Sequence, residues 1–185
     1  MPVATEKTRD QLIAELGSVE GKAEIIGGEI VLLPMTGFRP SRAATRIVVS
    51  LLAFEEQFKR GRAVADGVGF LVDLPHRDSF SPDAAFFIGP DSGMKFIEGA
   101  PVFAAEVRSE NDYGPAAERA MAEKRADYFA AGTLVVWDVD LQSDEVVSVY
   151  RASDPLRAKV YCRGQIAEAE PALPGWTLAV DSLFS

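Results

Sequence analysis

Histidine and cysteine are almost absent: His76 and Cys162 are the only ones among 185 residues. A single cysteine excludes an intrachain disulfide and any multi-cysteine zinc site. A single histidine excludes a histidine-cluster metal centre. A Ser-His-Asp triad could draw only on Leu74-Pro75-His76-Arg77-Asp78, which reads as a polar surface loop. No apolar run reaches the 18 residues of a membrane-spanning helix. Met1 to Asp10 is polar and lacks the apolar centre of a signal peptide, so the expected location is cytoplasmic. Whatever chemistry the chain performs must run on carboxylates and lysines.

Positive charge is also scarce. Nineteen basic residues stand against 28 acidic ones, a net charge of -9, whereas nucleic-acid binders draw much of their affinity from neutralising phosphate. The deficit is uneven. From Arg39 to Arg62 there are six basic residues and two acidic ones, and Arg39, Arg42 and Arg46 form a stripe at helical spacing. That stripe is a candidate nucleic-acid contact or simply a solvated helix face. With 48% hydrophobic and 25% charged residues, the composition is that of a globular protein. No linker, repeat or low-complexity segment interrupts residues 1–185, so one domain is expected.

The element pattern mixes α and β. Residues 6–16 read as a short amphipathic helix stopped by Gly17. Residues 22–26 and 29–33 flank Gly27-Gly28 and read as a hairpin. The first long helix is expected at 41–60, with Ile47, Leu51, Phe54 and Phe58 on one face and Gly61 as its stop. Strands follow at 63–72, after Asp83 and before Glu106, and 91–99 reads as a turn-rich connection. A second helix is expected at 115–131, opened by Pro115. Residues 133–140 and 145–150 form a further hairpin, with 157–162 as its third strand.

Two carboxylates stand out against this pattern. Asp83 precedes the short apolar run Ala84-Ala85-Phe86-Phe87-Ile88, and Glu106 closes a second run, Pro101-Val102-Phe103-Ala104-Ala105. Acids at neighbouring strands can hold one hard divalent cation, and Mg²⁺ is content with one or two carboxylates, the rest of its octahedron being water and phosphate. On the second helix Ala117, Ala120, Met121, Tyr128 and Ala131 share a stripe about 100° wide, and Lys124 lies inside it. Either its stem packs there while the ammonium reaches water, or the ammonium points into a cleft beside the two acids.

The ordered series Pro82-Asp83, Glu106-Val107 with Ser109 in the following loop, Lys124/Tyr128/Gly132 and Val135-Val136-Trp137-Asp138-Val139-Asp140 resembles the PD-(D/E)xK nuclease superfamily. Within it the match is to a large bacterial family of restriction-endonuclease-like proteins formerly classed as a domain of unknown function. The hairpin with Glu29 and the C-terminal Leu173-Pro174-Gly175-Trp176 extend the resemblance over nearly the whole chain. It implies an α/β (α+β) restriction-endonuclease-like core, a mixed central sheet flanked by helices, with an N-terminal hairpin. It further implies metal-dependent hydrolysis of nucleic acid, most simply DNA, by Mg²⁺ or Mn²⁺ on Asp83, Glu106 and the carbonyl of Val107, with Glu29 reaching the metal through water.

The superfamily's usual lysine, two residues after the glutamate, is replaced here by Arg108, and in the resembling family the lysine moves to the next helix, where Lys124 stands. Lys124 is thus the candidate catalytic lysine, orienting or deprotonating the attacking water, and Arg108 a candidate phosphate clamp. Asp140 reads as a turn residue closing its strand. Two other classes stay open: a nuclease fold that binds nucleic acid or a partner without cleaving, and a homo-oligomeric scaffold, dimeric or larger, suggested by the acidic charge and by Leu173, Trp176 and Phe184.

Overall fold

The computed structural model describes residues 7–185; residue 6, the expected first residue of the N-terminal helix, lies outside them. Helix α1 runs Arg9–Leu16 and starts after Thr8, whose hydroxyl accepts from the backbone of Gln11 while the Gln11 side chain accepts from the backbone of Thr8. Strands β1 (Ala23–Ile26) and β2 (Glu29–Leu32) form the hairpin, with Ile26 opposite Glu29 and both turn glycines at positive φ.

Helix α2 spans Phe38–Phe58 and begins three residues before the expected start. Pro40 falls in its first turn, where a missing N–H breaks no helical hydrogen bond. Ile47 and Leu51 are fully buried, and Phe54 and Phe58 stack at 4.9 Å over Phe86.

The stretch expected as one strand at 63–72 is two, β3 (Arg62–Ala65) and β4 (Phe70–Leu74), in different sheets. Gly67 at φ 88 turns the chain between them. The expected polar loop around His76 is likewise shorter than read, because β5 (Arg77–Phe80) begins at a buried Arg77. Then come β6 (Ala84–Phe87), a two-residue β7 (Ile97–Glu98) inside the turn-rich connection, and β8 (Phe103–Val107). Helix α3 (Pro115–Ala130) leads to β9 (Val135–Val139), β10 (Val147–Arg151) and β11 (Asp154–Tyr161). The chain ends with β12 (Ile166–Glu168), β13 (Thr177–Ala179) and a 3-10 turn, Val180–Phe184.

The mixed sheet is ordered β11-β10-β9-β8-β6-β3, with only β8 and β9 parallel. A second sheet, β2-β1-β5-β4-β7, takes in the hairpin. Alternation along the strands sorts the core into two sides. Phe86, Phe103, Ala105, Val107, Val135, Trp137 and Val139 face α2 and the C-terminal elements. Ala85, Phe87, Ala104 and Val136 face the opposite way, onto Phe70, Val72, Phe80 and Tyr128. The scaffold reading loses two of its three apolar supports here, Leu173 and Trp176, while Phe184 remains exposed. Leu173 is fully buried, and Trp176 packs on Trp137 and Phe103 at centroid distances of 5.0 and 5.4 Å, while the Phe184 ring lies under the Arg163 guanidinium. Leu173 and Trp176 are core residues because β12 and β13 fold back over the end of the mixed sheet.

Between α2 and β3 the chain has no room for a side chain. A Cβ on Gly61, at φ 87, would lie 2.5 Å from Phe86 Cε1 and 2.6 Å from the Phe87 carbonyl oxygen. Gly61→Ala should therefore cost at least about 2 kcal/mol, combining backbone strain with overpacking. Urea unfolding would measure it, and a loss under about 0.5 kcal/mol would show that the turn can re-form elsewhere.

Candidate active site

Asp83 and Glu106 are brought together by strand register. Antiparallel pairing of β6 with β8 sets Ala84 opposite Ala105, and one step further Asp83 N–H donates to the Ala105 carbonyl and Asp83 Oδ2 accepts from Val107 N–H at 2.8 Å. Asp83 and Glu106 thus stand opposite each other on the face away from α2. Directly opposed carboxylates repel, and each is met by an ammonium arriving from outside the strand pair. Lys22 Nζ lies 2.8 Å from Asp83 Oδ1 and 2.7 Å from Asp66 Oδ1. Lys124 Nζ lies 2.9 Å from both Glu106 Oε1 and Glu24 Oε1.

Glu24 carries this arrangement inward. It is buried, and it accepts from Arg77 Nη1 at 2.6 Å and from Ser81 N–H at 2.8 Å besides Lys124. Arg77 Nε in turn donates to Asp127 Oδ2 at 2.7 Å, and His76 Nε2 lies 2.8 Å from Asp127 Oδ1. Tyr128 OH donates to Glu106 Oε1 at 2.6 Å, its ring stacked on Phe80. Among the described residues Glu106 Oε2 is left without a hydrogen-bond partner.

The charges set the titration of these groups. Burial works against the ionised form of Glu24, but Lys124 and Arg77 outweigh it and hold its pKa below the usual carboxylate value. Glu106 shares one ammonium with Glu24 and faces Asp83. Burial pushes its carboxyl up, against the pull of Lys124, and Asp83 and Glu24 push it further. Burial also opposes the charge of Lys124, yet Glu106 and Glu24 keep its pKa above that of an ordinary lysine. At neutral pH Lys124 is therefore an ammonium, a hydrogen-bond donor and not a proton acceptor.

Beside Glu106, parallel pairing sets Asp138 of β9 on the same face. Asp138 takes a two-pronged fork from Arg108, Nε to Oδ1 and Nη2 to Oδ2 at 2.8 Å each, and a third bond from Arg125. Arg108 also pairs with Glu118 on α3. These groups floor and wall a cleft of about 760 Å³ whose remaining lining is largely apolar, including Ile26, Leu32, Pro34, Met35, Ala117 and Met121.

The sequence profile of the Uma2 family, described as "putative restriction endonuclease", matches residues 12–181. The chain belongs to the Uma2 family. Its fold is that of the crystal structure of a "putative nuclease belonging to DUF820" from Anabaena variabilis, which is 19% identical, matches over 94% of this chain and 97% of that one, and superposes with a TM-score of 0.71. No curated protein matches the chain by sequence.

In this Uma2 family member several candidate residues lie elsewhere than the sequence suggested. Glu29 shares the cleft-facing side of the hairpin but sits exposed on the outer strand beside the turn; the acid that enters the site is Glu24, on the inner strand. Arg108 is held by Asp138 and Glu118, so its guanidinium is not free to clamp a phosphate. Arg42 and Arg46 donate to the carbonyl of Ser185, and Arg39 is exposed. Helix α2 meets the pocket at Asp83 through Pro40, Ser41, Ala44, Thr45 and Val48, about half a turn round the helix from that arginine stripe.

Asp140 caps its turn, accepting from Tyr113 OH and Gln142 N–H. The stripe on α3 divides: Ala117, Ala120 and Met121 are cleft wall, whereas Tyr128 is core, and only Asp127 and Tyr128 of that helix are buried. Lys22 and Glu24 went unread although a signal was present. Two charged residues spaced i, i+2 into an apolar strand mark a face that looks onto other charges.

Arg77 neutralises two buried acids at once, so Arg77→Met should lose about 3–5 kcal/mol in urea unfolding by leaving Glu24 only the Lys124 it shares with Glu106, and Asp127 only His76. A loss below about 1 kcal/mol would mean that water enters the site freely. The pH dependence follows from Glu24, whose folded pKa lies below its unfolded value near 4.5. Its share of stability is full above that value and is lost as pH falls through the lowered one. Glu24→Gln should accordingly show a shallower fall in unfolding free energy between about pH 5 and pH 3 than the parent; parallel curves would assign the acid loss to other carboxylates.

Proposed function

We propose that the protein is a metal-dependent endonuclease hydrolysing phosphodiester bonds of nucleic acid, DNA foremost. The observation that carries this reading is the register-matched pair Asp83 and Glu106 on one sheet face, at the foot of an open cleft, with Lys124 bonded to the glutamate. The donor set fits a hard divalent cation. Both side chains offer oxygen, Glu106 retains an unengaged oxygen, and hard cations of this class need no more than one or two protein carboxylates. Asp83, Glu106 and the Val107 carbonyl would hold Mg²⁺ or Mn²⁺. When bound, such an ion supplies Lewis-acid stabilisation of the phosphate and a more acidic water.

The chain's own residues supply the rest. Lys124 stays charged and, held between Glu24 and Glu106, places an N–H donor at the cleft floor where a phosphate oxygen would gain negative charge. Tyr128 and Arg77, bonded to Glu106 and Glu24, fix the two acids that hold that lysine. One observation favours the binding-only alternative: both carboxylates already hold an ammonium, Asp83 that of Lys22 and Glu106 that of Lys124.

Nicking of supercoiled plasmid decides between them. Purified protein should nick in Mn²⁺ or Mg²⁺ and not in a chelator. Asp83→Ala should lower the rate at least about a hundredfold, and Lys124→Met at least about tenfold. Lys124→Met also leaves two acids short of a cation, so its folded fraction is checked first by circular dichroism. Equal nicking by the parent and Asp83→Ala would assign the activity to a contaminant and leave the binding-only reading.

A further inference from the structure

Lys22 stands just before β1, and by strand alternation its side chain leaves on the same face as Glu24. Its ammonium is shared between Asp83, inside the site, and Asp66, which sits at the turn after β3 and is much more exposed, 43% against 17%. Nothing else cationic among the described residues reaches Asp83, whereas Lys124 is bound to Glu24 and Glu106 at once. Lysine differs from arginine in being a compact charge on a flexible stem with no planar fork to break.

We propose that Lys22 is a displaceable counter-ion: it neutralises Asp83 in the metal-free protein and moves onto Asp66 alone when a divalent cation takes Asp83. The proposal rests on the metal-binding reading of Asp83 and Glu106. A divalent ion bonded to the same carboxylate repels the ammonium, and Asp66 gives that ammonium a partner about as near as the one it leaves. The apparent metal affinity is then the intrinsic one reduced by the fraction of protein in which Lys22 has already left Asp83. Asp66 raises that fraction because the ammonium, now divided between two carboxylates, gives its full charge to Asp66 once Asp83 is released, so an exposed turn residue acts on the site without touching the metal.

Mn²⁺ titration by calorimetry, with the Mn²⁺-induced rise in melting temperature as a second readout, tests this on the full chain. Lys22→Met should tighten Mn²⁺ binding by roughly fivefold while lowering the melting temperature of the metal-free protein. Lys22→Gln, which keeps a polar head for Asp66, should shift affinity the same way if the methionine variant folds poorly. Asp66→Asn should weaken Mn²⁺ binding severalfold, and only in protein that still has Lys22, so its effect should vanish in the double variant. Parental binding that Lys22→Met leaves unchanged or weaker overturns the counter-ion role and leaves the metal site standing. No Mn²⁺ binding in the parent or in either Lys22 variant overturns the metal site, and the proposal with it.

Discussion

A line of alternating charges ties the two sheets and α3 together: Glu106, Lys124, Glu24, Arg77 and Asp127, each within 3 Å of the next, with the exposed His76 Nε2 2.8 Å from Asp127 at its outer end. Glu106 belongs to the mixed sheet, Glu24 and Arg77 to the second, Lys124 and Asp127 to α3. Each buried charge costs several kcal/mol of lost hydration, recovered only when its partners are all in place, so the line is stable closed and costly with any member missing. It also explains why α3 can sit with so little of its surface buried. Asp127 and Tyr128 are its only buried residues, and the helix is held by ion pairs, the Tyr128 ring stacked on Phe80 and the half-buried Phe129, where most amphipathic helices are held by a long apolar stripe. Ala117, Ala120 and Met121 are thereby left to wall the cleft.

Pairing decides what the cleft can attract. The cations on its lining, Lys22, Arg77, Lys124, Arg108 and Arg125, are each bonded to a carboxylate of the protein. The lining carries more acids than bases, and the chain as a whole is at -9. A polyanion meets no spare positive charge there, so phosphate binding would depend on an added cation or on breaking an internal pair. The arginine stripe does not relieve this, since it lies on the far side of α2 and two of its members serve the C-terminal carbonyl.

What was legible in the sequence was local. The Gly27-Gly28 hairpin, the face of α2 bearing Ile47 and Leu51, the three-strand meander from β9 to β11 and the strand positions of Asp83 and Glu106 all follow from short-range period and turn chemistry. The placement of Lys124 in a cleft was readable too, because a lysine inside an apolar stripe is anomalous. The partners of these residues were not readable. Glu24, Arg77 and Asp127 are adjacent only through the pairing of β1 with β5 and the docking of α3, contacts separated by 50 or more positions. The same limit hid how the α3 stripe divides between Tyr128, which is core, and Ala117, Ala120 and Met121, which line the cleft. Periodicity shows that a face is apolar, but not whether another element arrives to cover it.

Asp83, Glu106 and Asp138 form a row of three acids across β6, β8 and β9 on one face, and a divalent ion could in principle sit at either gap. The cations already present distinguish the two. Asp138 is bound by both prongs of the Arg108 fork, with Arg125 as a third donor, and freeing it would break several charge-assisted hydrogen bonds at fixed geometry. Asp83 is bound by one ammonium that has a second carboxylate within reach. A planar guanidinium fork holds its acceptor in place, whereas a point charge on a flexible stem yields it. The metal-binding reading therefore favours the gap between Asp83 and Glu106, and on that reading the arginine at position 108 keeps Asp138 from competing for the ion.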